Sequence, residues 1–250
     1  MRSGVLQDRV AIVTGATRGI GRAVWEQFSY AGATVIGVYA RSEEIAARLE
    51  AERESRSIPG AFYQGSVHDP AFVKELMQRV KRQFGRLDIL VNNAGITRDN
   101  LAMRMTVEEW DTVLQTNWLG TLLCATEAIP YMREQGGGSV INVVSVSGIY
   151  GREAQANYST AKGAVIGLTK LLARRHAQEG IRVNAVAPGM IATEMTESLP
   201  AGTMDAFLGH THLKRQGTAG EVAAALLPLA SGAAAYVSGQ VLKVDGGFLR

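Results

Sequence analysis

The stretch Asn157-Tyr158-Ser159-Thr160-Ala161-Lys162 sets a phenol and an ammonium four residues apart, so on a helix both side chains lie on one face and point to one place. An unperturbed tyrosine titrates near pH ~10, and a cation held beside it favours the phenolate and lowers that value, which brings proton transfer near neutrality within reach. Tyr158 is then a candidate acid and Lys162 its electrostatic partner. The plainer alternative is a half-buried tyrosine with a lysine stem packed past it. Other residues have to decide between the two.

The segment Thr14-Gly15-Ala16-Thr17-Arg18-Gly19-Ile20-Gly21 places three glycines where the apolar run 10–13 ends and helical apolar spacing begins over 19–31. Missing β-carbons let backbone close on a pyrophosphate lying at the amino terminus of that helix, so the pattern points to a bound dinucleotide. The end of the second strand separates the two dinucleotides. An acid there bonds the ribose hydroxyls of NAD, whereas a cation tolerates a 2′-phosphate. Here the chain reads Val38-Tyr39-Ala40-Arg41, with no acid, and Arg18 joins Arg41, which favours NADP. Asn92-Asn93-Ala94-Gly95, and Ser145 with Ser147, follow further apolar strands at their carboxyl ends, where open α/β sheets bind ligands. A hydroxyl there could stabilise a developing alkoxide or cap the next segment. Asn117 interrupts a helical pattern, so its amide either faces solvent or bonds something buried.

The elements that must position these groups are legible as apolar runs at 10–13, 34–38, 61–63, 87–91, 140–144, 183–187 and 241–244, separated mostly by amphipathic segments of helix length. Such alternation argues for a parallel sheet covered on both faces. With 250 residues, 46% of them hydrophobic, and no repeat or linker, one domain over 1–250 is the simplest count. The least regular stretch, 188–217, is too long for an ordinary connection and reads as a loop over the site. No apolar run has signal-peptide or membrane-spanning length, so a cytoplasmic protein without a membrane partner is expected. The single cysteine, Cys124, excludes an internal disulfide framework, and the four histidines are scattered, so no metal site is expected. A net charge of +3 suits an anionic cofactor. No Lys/Arg run interleaves with aromatics, and nucleic acid is not an expected partner.

Taken together, the T-G-x-x-x-G-x-G turn, Asn-Asn-Ala-Gly, Ser145, Y-x-x-x-K and Pro188-Gly189 resemble the short-chain dehydrogenases/reductases in order and spacing over nearly the whole chain. Within that family, three stretches are most similar to the 3-oxoacyl-[acyl-carrier-protein] reductases. They are the run from Asn93 through Leu101 to Met105, Gln155-Ala156-Asn157-Tyr158, and the run from Val186 to Thr193. The resemblance implies a catalytic tetrad of Asn117, Ser145, Tyr158 and Lys162. Tyr158 would protonate a carbonyl oxygen that Ser145 polarises. Lys162 would hold the nicotinamide ribose and lower the tyrosine pKa, and Asn117 would hold a water leading to solvent. Cofactor contacts carried over in the same way fall on Thr14, Gly15, Thr17, Arg18, Gly19, Ile20 and Gly21, on Ala40 and Arg41, and on Ser66 and Val67. They continue on Asn93, Ala94, Gly95, Tyr158, Lys162, Pro188, Gly189, Ile191 and Thr193.

Two departures stand out. Ser66-Val67 replaces the Asp-Val of many relatives, which changes an adenine contact. Gly136 and Glu179 stand where relatives present cations to an acidic carrier, with Arg133, Arg174 and Arg175 close in sequence. The resulting expectation is a single doubly wound (Rossmann) domain with a seven-stranded parallel sheet of order 3-2-1-4-5-6-7. It would be a homotetramer that uses NADPH to reduce a 3-oxoacyl thioester, on an acyl carrier protein or on CoA, in fatty-acid or polyketide-type biosynthesis. The alternatives are a reductase or dehydrogenase of a free ketone, steroid or sugar, and a dinucleotide-binding regulatory protein without turnover.

Overall fold

Every residue of β1 (Val10–Thr14) is buried, and its side chains alternate between two cores, Ala11 and Val13 on one face of the sheet, Val10 and Ile12 on the other. Burial on both faces explains why the run shows no polar alternation, and it marks a central strand of a parallel sheet. The computed structural model describes residues 4–197 and 201–248, so the ends of the expected 1–250 domain and residues 198–200 of the expected 188–217 loop lie outside the described residues.

From β1 the chain runs through α1 (Gly19–Tyr30), β2 (Thr34–Tyr39), α2 (Glu43–Ser55), β3 (Gly60–Gln64), α3 (Pro70–Phe84) and β4 (Ile89–Asn92). It continues through α4 (Val107–Leu114), α5 (Gly120–Glu134), β5 (Gly138–Val143), α6 (Val146–Tyr150), α7 (Ala156–His176) and β6 (Ile181–Pro188). The last part holds β7 (Ile191–Ala192), α8 (Glu194–Glu197), α9 (Ala201–Gly209), β8 (Gly217–Thr218), α10 (Ala219–Ala230) and β9 (Val241–Val244). Local signals set the boundaries. The Asp69 carboxylate accepts from the Ala71 N–H with Pro70 in the first turn of α3, which ends at Gly85 in the left-handed region. Thr218 and Glu221 form a capping box that starts α10.

Seven strands pair in the parallel order β3-β2-β1-β4-β5-β6-β9, the doubly wound arrangement expected from the sequence. The seventh sheet strand is the ninth in the chain because β7 and β8 pair only with each other, Ile191 with Gly217 and Ala192 with Thr218. Two-residue strands carry no periodic signal, yet this pair closes the base of the long 188–217 segment. Helices α1, α2 and α10 cover one face through Trp25, Phe28, Leu49 and Leu226. Helices α3, α5 and α7 cover the other through Met77, Met132 and Leu172. Strand order reverses between β1 and β4, which opens a crevice at the carboxyl ends of these strands. Among the described residues no helix is long and apolar enough to cross a membrane.

At the amino-terminal end of the sheet, buried Asp88 ties β4 to β1. Its carboxylate accepts the Val10 N–H at 2.9 Å, Arg9 at 2.8 Å and both nitrogens of the Arg86 fork at 2.7 Å. Burial alone would raise the Asp88 pKa, but Arg86, the Val10 N–H and Arg9 together outweigh it and hold the carboxyl below its usual range. A lowered native pKa stabilises the fold above the unfolded value of ~3.9, and that stabilisation is lost as pH falls through the native value. Asp88→Ala should cost about 1–3 kcal/mol in denaturant unfolding at pH 7, mainly through the orphaned Val10 N–H. The gap between wild type and variant should narrow below pH ~4. A gap of equal size at pH 7 and pH 3 would rule out this account.

Candidate active site

The glycine turn between β1 and α1 is shaped by contacts that leave no room for side chains. Gly15 has φ of +67°, and a β-carbon on Gly21 would fall 2.1 Å from the Gly15 carbonyl oxygen. The turn is stapled from across the crevice. Thr14 Oγ1 accepts the N–H groups of Asn93 at 2.9 Å and Ala94 at 3.0 Å, while Asn93 Nδ2 donates to the carbonyls of Thr14 at 2.9 Å and Gly15 at 3.2 Å. The side chain of Asn93 therefore builds the turn, and its donors are committed to backbone. Arg18, at the amino-terminal cap of α1, makes no side-chain capping bond, and the first turn carries no acid. The helix amino terminus thus meets the crevice with its N–H groups and positive dipole end and no internal anion, which fits the pyrophosphate of a dinucleotide.

Thr17 is buried and Ile20 packs against the core beside it. Ala40 and Arg41 are exposed at the end of β2, and Arg18 lies 3.5 Å from Glu194 of α8. Ser66 Oγ and His68 Nδ1 share a hydrogen bond at 2.9 Å, so the hydroxyl at the altered adenine position has a neighbour that sequence reading did not consider. Val67 is buried. Beyond β6, which Pro188 ends, the Gly189 N–H donates to the Val244 carbonyl at 3.0 Å and Ile191 is buried in β7. Thr193 passes close to Gly19, its Cγ2 3.4 Å from where a β-carbon on that glycine would stand. The expected cofactor residues described so far follow the carboxyl ends of β1, β2, β3, β4 and β6.

Ser145 caps α6, its oxygen accepting the Ser147 N–H at 3.1 Å. It lies close enough to the Tyr158 phenol to favour the phenolate there. Helices α6 and α7 can approach because Gly148 has no side chain: a β-carbon there would lie 2.7 Å from Lys162 Cβ. Lys162 is 4% exposed, its Nζ donates to the Val143 carbonyl at 2.8 Å, and it lies 5.7 Å from the centroid of the Tyr158 ring. Asn117 is fully buried in a π-helical turn (Gln115–Leu119), a local widening of the kind found at functional sites. Its Nδ2 donates to the Ile96 carbonyl at 2.9 Å and its Oδ1 accepts the Ile96 N–H at 2.8 Å. Of the two expectations for this amide, the buried one holds. Asn117 anchors the loop after β4, and a β-carbon on Gly95 would stand 3.3 Å from its Oδ1 and 3.5 Å from Lys162 Nζ.

The titration expectation needs correction. Burial pushes the Tyr158 phenol up to about 12; the Ser145 hydroxyl and Arg152 oppose that rise, and Asp99 adds to it. Burial likewise brings Lys162 down to about 8. In the free protein desolvation outweighs the lysine's effect on the phenol, because the ammonium is itself desolvated and bonded to a carbonyl. A phenol that stays protonated through neutrality is a proton donor, which suits an acid more than a base.

Four residues to which the sequence assigned no supporting role hold this group together, among them Ser147, which was weighed only as a candidate hydroxyl or cap beside Ser145. Asn157 is fully buried, its Oδ1 accepting the Tyr158 N–H at 2.7 Å and its Nδ2 donating to the carbonyls of Arg98 and Glu109 at 2.9 and 3.1 Å. Gln155, Ser147 and Asp99 form a second set of ties on the other side of Ser145. The signal was present in Gln155-Ala156-Asn157, polar residues with amide side chains directly before the tyrosine, but what they bond is decided by segments distant in sequence.

Two hydroxyls meeting beside a buried lysine, two strands across the sheet from a turn built to accept a pyrophosphate, define a nicotinamide-dinucleotide-dependent oxidoreductase. Comparison with known proteins agrees. A family profile described as enoyl-(acyl carrier protein) reductase matches residues 15–249. The chain is 44% identical over 246 residues to the 3-oxoacyl-[acyl-carrier-protein] reductase FabG of Thermotoga maritima, covering 98% of this chain and 99% of that protein. It is 45% identical over 237 residues to the FabG of Staphylococcus aureus, covering 95% and 96%. It is also 43% identical over 245 residues to the 3-oxoacyl-[acyl-carrier-protein] reductase of Synechocystis sp., covering 98% of each. The chain belongs to the short-chain dehydrogenase/reductase family.

Since Lys162 titrates at about 8, its charge is present below that pH and lost above it. A lysine side-chain resonance followed by NMR should titrate near pH 8 and vanish in Lys162→Arg. Turnover that depends on the ammonium should decline through the same range, and the decline should flatten in Lys162→Arg, whose charge persists. A decline that survives unchanged in the arginine variant would assign it to another group.

Proposed function

We propose that this protein reduces a 3-oxoacyl thioester to the 3-hydroxyacyl thioester with NADPH as the reductant, in fatty-acid or polyketide-type biosynthesis. The observation that carries the reading is the convergence of the Ser145 and Tyr158 hydroxyls beside buried Lys162 at the carboxyl edge of the sheet. Two donors aimed at one place match an oxygen that gains negative charge, which favours reduction of a carbonyl over the carbon–carbon double bond named in the family description. Support for the thioester comes from the relatives, three of which carry the name 3-oxoacyl-[acyl-carrier-protein] reductase.

The nicotinamide, when bound, supplies the hydride. Ser145 donates a hydrogen bond to the substrate carbonyl oxygen, and Tyr158 donates its proton to that oxygen as charge develops. Lys162 holds ribose hydroxyls and stabilises the phenolate that remains. Asn117 keeps the loop after β4 against this group, and the free lone pair of its Oδ1 serves a water beside Lys162. The backbone of the glycine turn cradles the pyrophosphate, and Arg41 with Arg18 receives the 2′-phosphate. Arg18 exchanges its exposed Glu194 partner for that stronger anion, a surface pair of this kind being worth at most about 1 kcal/mol.

The carrier reading also has local support. Arg133 lies 4.0 Å from Glu179, which is bonded to His176 Nδ1 at 2.8 Å, so this arginine faces a carboxylate where a docking surface needs free cations. The enzyme is therefore proposed to depend weakly on an acidic carrier. The homotetramer is proposed as well, supported by exposed Met103, Val107 and Tyr236, apolar side chains of the kind that association covers.

The deciding experiment is NADPH oxidation across a carrier-bound 3-oxoacyl thioester, the matching CoA thioester and simple ketones. Turnover should favour the thioesters, with a carrier advantage that is small and insensitive to salt. Preference for a free ketone would reject the substrate assignment. Tyr158→Phe should lower the rate by ~10²–10⁴ while NADPH still binds, and retained turnover would reject its role as the acid. For the cofactor, Arg41→Asp should reverse the preference toward NADH. Wild type that uses NADH as well as NADPH would show that the end of β2 does not select the phosphate.

A further inference from the structure

Gln155 is 6% exposed and sits between two polar groups that leave its amide only one orientation. Its Nε2 donates to Asp99 Oδ2 at 2.8 Å, and its Oε1 accepts from Ser147 Oγ at 3.2 Å. A carboxylate only accepts, so the NH₂ must face Asp99 and the carbonyl must face Ser147. The Ser147 hydroxyl, on a residue 8% exposed, is then obliged to donate to Gln155. With its hydroxyl committed, Ser147 meets Ser145 only through its backbone N–H, which donates to Ser145 Oγ at 3.1 Å. Ser145 thus accepts from the helix, and its own proton is left to point away from α6 and toward the phenol it faces.

The tie joins two segments distant in sequence. Asp99 belongs to the loop after β4, whose Asn100 N–H donates to the Ala154 carbonyl at 2.8 Å and whose backbone pairs with Gln155 in a single parallel bridge. The Gln155 carbonyl in turn accepts the Ser159 N–H at 2.8 Å in the first turn of α7. These backbone bonds hold the segment in place whatever side chain stands at 155, so the side chain's own contribution can be tested apart from the fold.

We propose that Gln155, oriented by Asp99, is a positioning residue that ties up the Ser147 hydroxyl and thereby sets the direction in which Ser145 donates its proton. This rests on the carbonyl-reductase reading above. The residue acts through Ser147 and Ser145. If it is removed, the Ser147 hydroxyl loses its acceptor and competes for the Ser145 oxygen, and the Ser145 proton no longer has one direction.

The test is a pair of rescues measured on the full-length protein with NADPH and a 3-oxoacyl-CoA. Gln155→Met keeps the bulk and frees Ser147, and kcat should fall about tenfold, less than the loss expected for removing the acid itself. The dissociation constant of NADPH and the thermal midpoint should stay near wild type. Adding Ser147→Ala, which removes the competing hydroxyl and keeps the N–H, should restore most of kcat. Independently, Gln155→Glu sets two carboxylates against each other and should lose activity, whereas Gln155→Glu with Asp99→Asn reverses the pair and should recover it. Should Gln155→Met fail to fold, the second rescue decides alone. Unchanged kcat in both single variants, or losses that neither rescue relieves, would overturn the inference while leaving the function intact. Wild type that reduces no 3-oxoacyl thioester would overturn the functional reading and this inference with it.

Discussion

A lysine ammonium buried without a carboxylate is the constraint around which the site is arranged. Among the described residues Lys162 has one partner for its Nζ, the Val143 carbonyl, and burial disfavours its charge. Holding a cation there requires polar groups close by, and the fold supplies them from three sides. Val143 comes from the end of β5, the Tyr158 ring from the same face of α7, and Asn117 Oδ1 from a helix widened by one residue so that the amide turns inward. Each lies at a carboxyl edge of the sheet or on a helix that packs there, so the cost of burial is met only when the sheet, α6 and α7 are assembled together.

The approach of α6 to α7 follows from the same requirement. Gly148 lets the short helix lie directly on Lys162 and Gly163, which brings Ser145 into contact with the phenol. The start of α7 is held by Asn157, whose side chain accepts the Tyr158 N–H and donates to the carbonyls of Arg98 in the loop after β4 and Glu109 in α4. Rigid support of this kind is what lets two hydroxyls present one geometry to an oxygen, since pre-oriented donors need no reorganisation as charge develops. The nucleotide end of the crevice is supported differently. There a threonine and an asparagine staple the loop after β4 to backbone atoms of the glycine turn, leaving the α1 amino terminus free for an anion.

The long 188–217 segment shows how an irregular sequence can still be anchored. Pairing of Ile191 with Gly217 and Ala192 with Thr218 closes its base, and Phe207 of α9 stacks on Phe248 near the end of the chain at 4.4 Å. The segment is therefore tied at two places, one beside the glycine turn and one beside the last strand.

By itself the sequence determined the strands of a parallel sheet, the glycine turn and the identity of the tyrosine and lysine, because these depend on local patterns: apolar runs of strand length, glycines at a strand-to-helix turn, and a four-residue spacing on one helix; the strand order was an expectation from the family resemblance. Tertiary structure decided what those groups experience. It raised the phenol and lowered the ammonium, opposite to the expectation for the phenol from spacing alone, because desolvation depends on how many elements close over a group and not on its sequence neighbours. It also assigned Asn93 to the turn, Asn117 to Ile96 and Gln155 to Asp99 and Ser147, bonds that span 8 to 79 residues. An amide reads the same in sequence whether it faces water, cofactor or backbone, and only the folded chain says which.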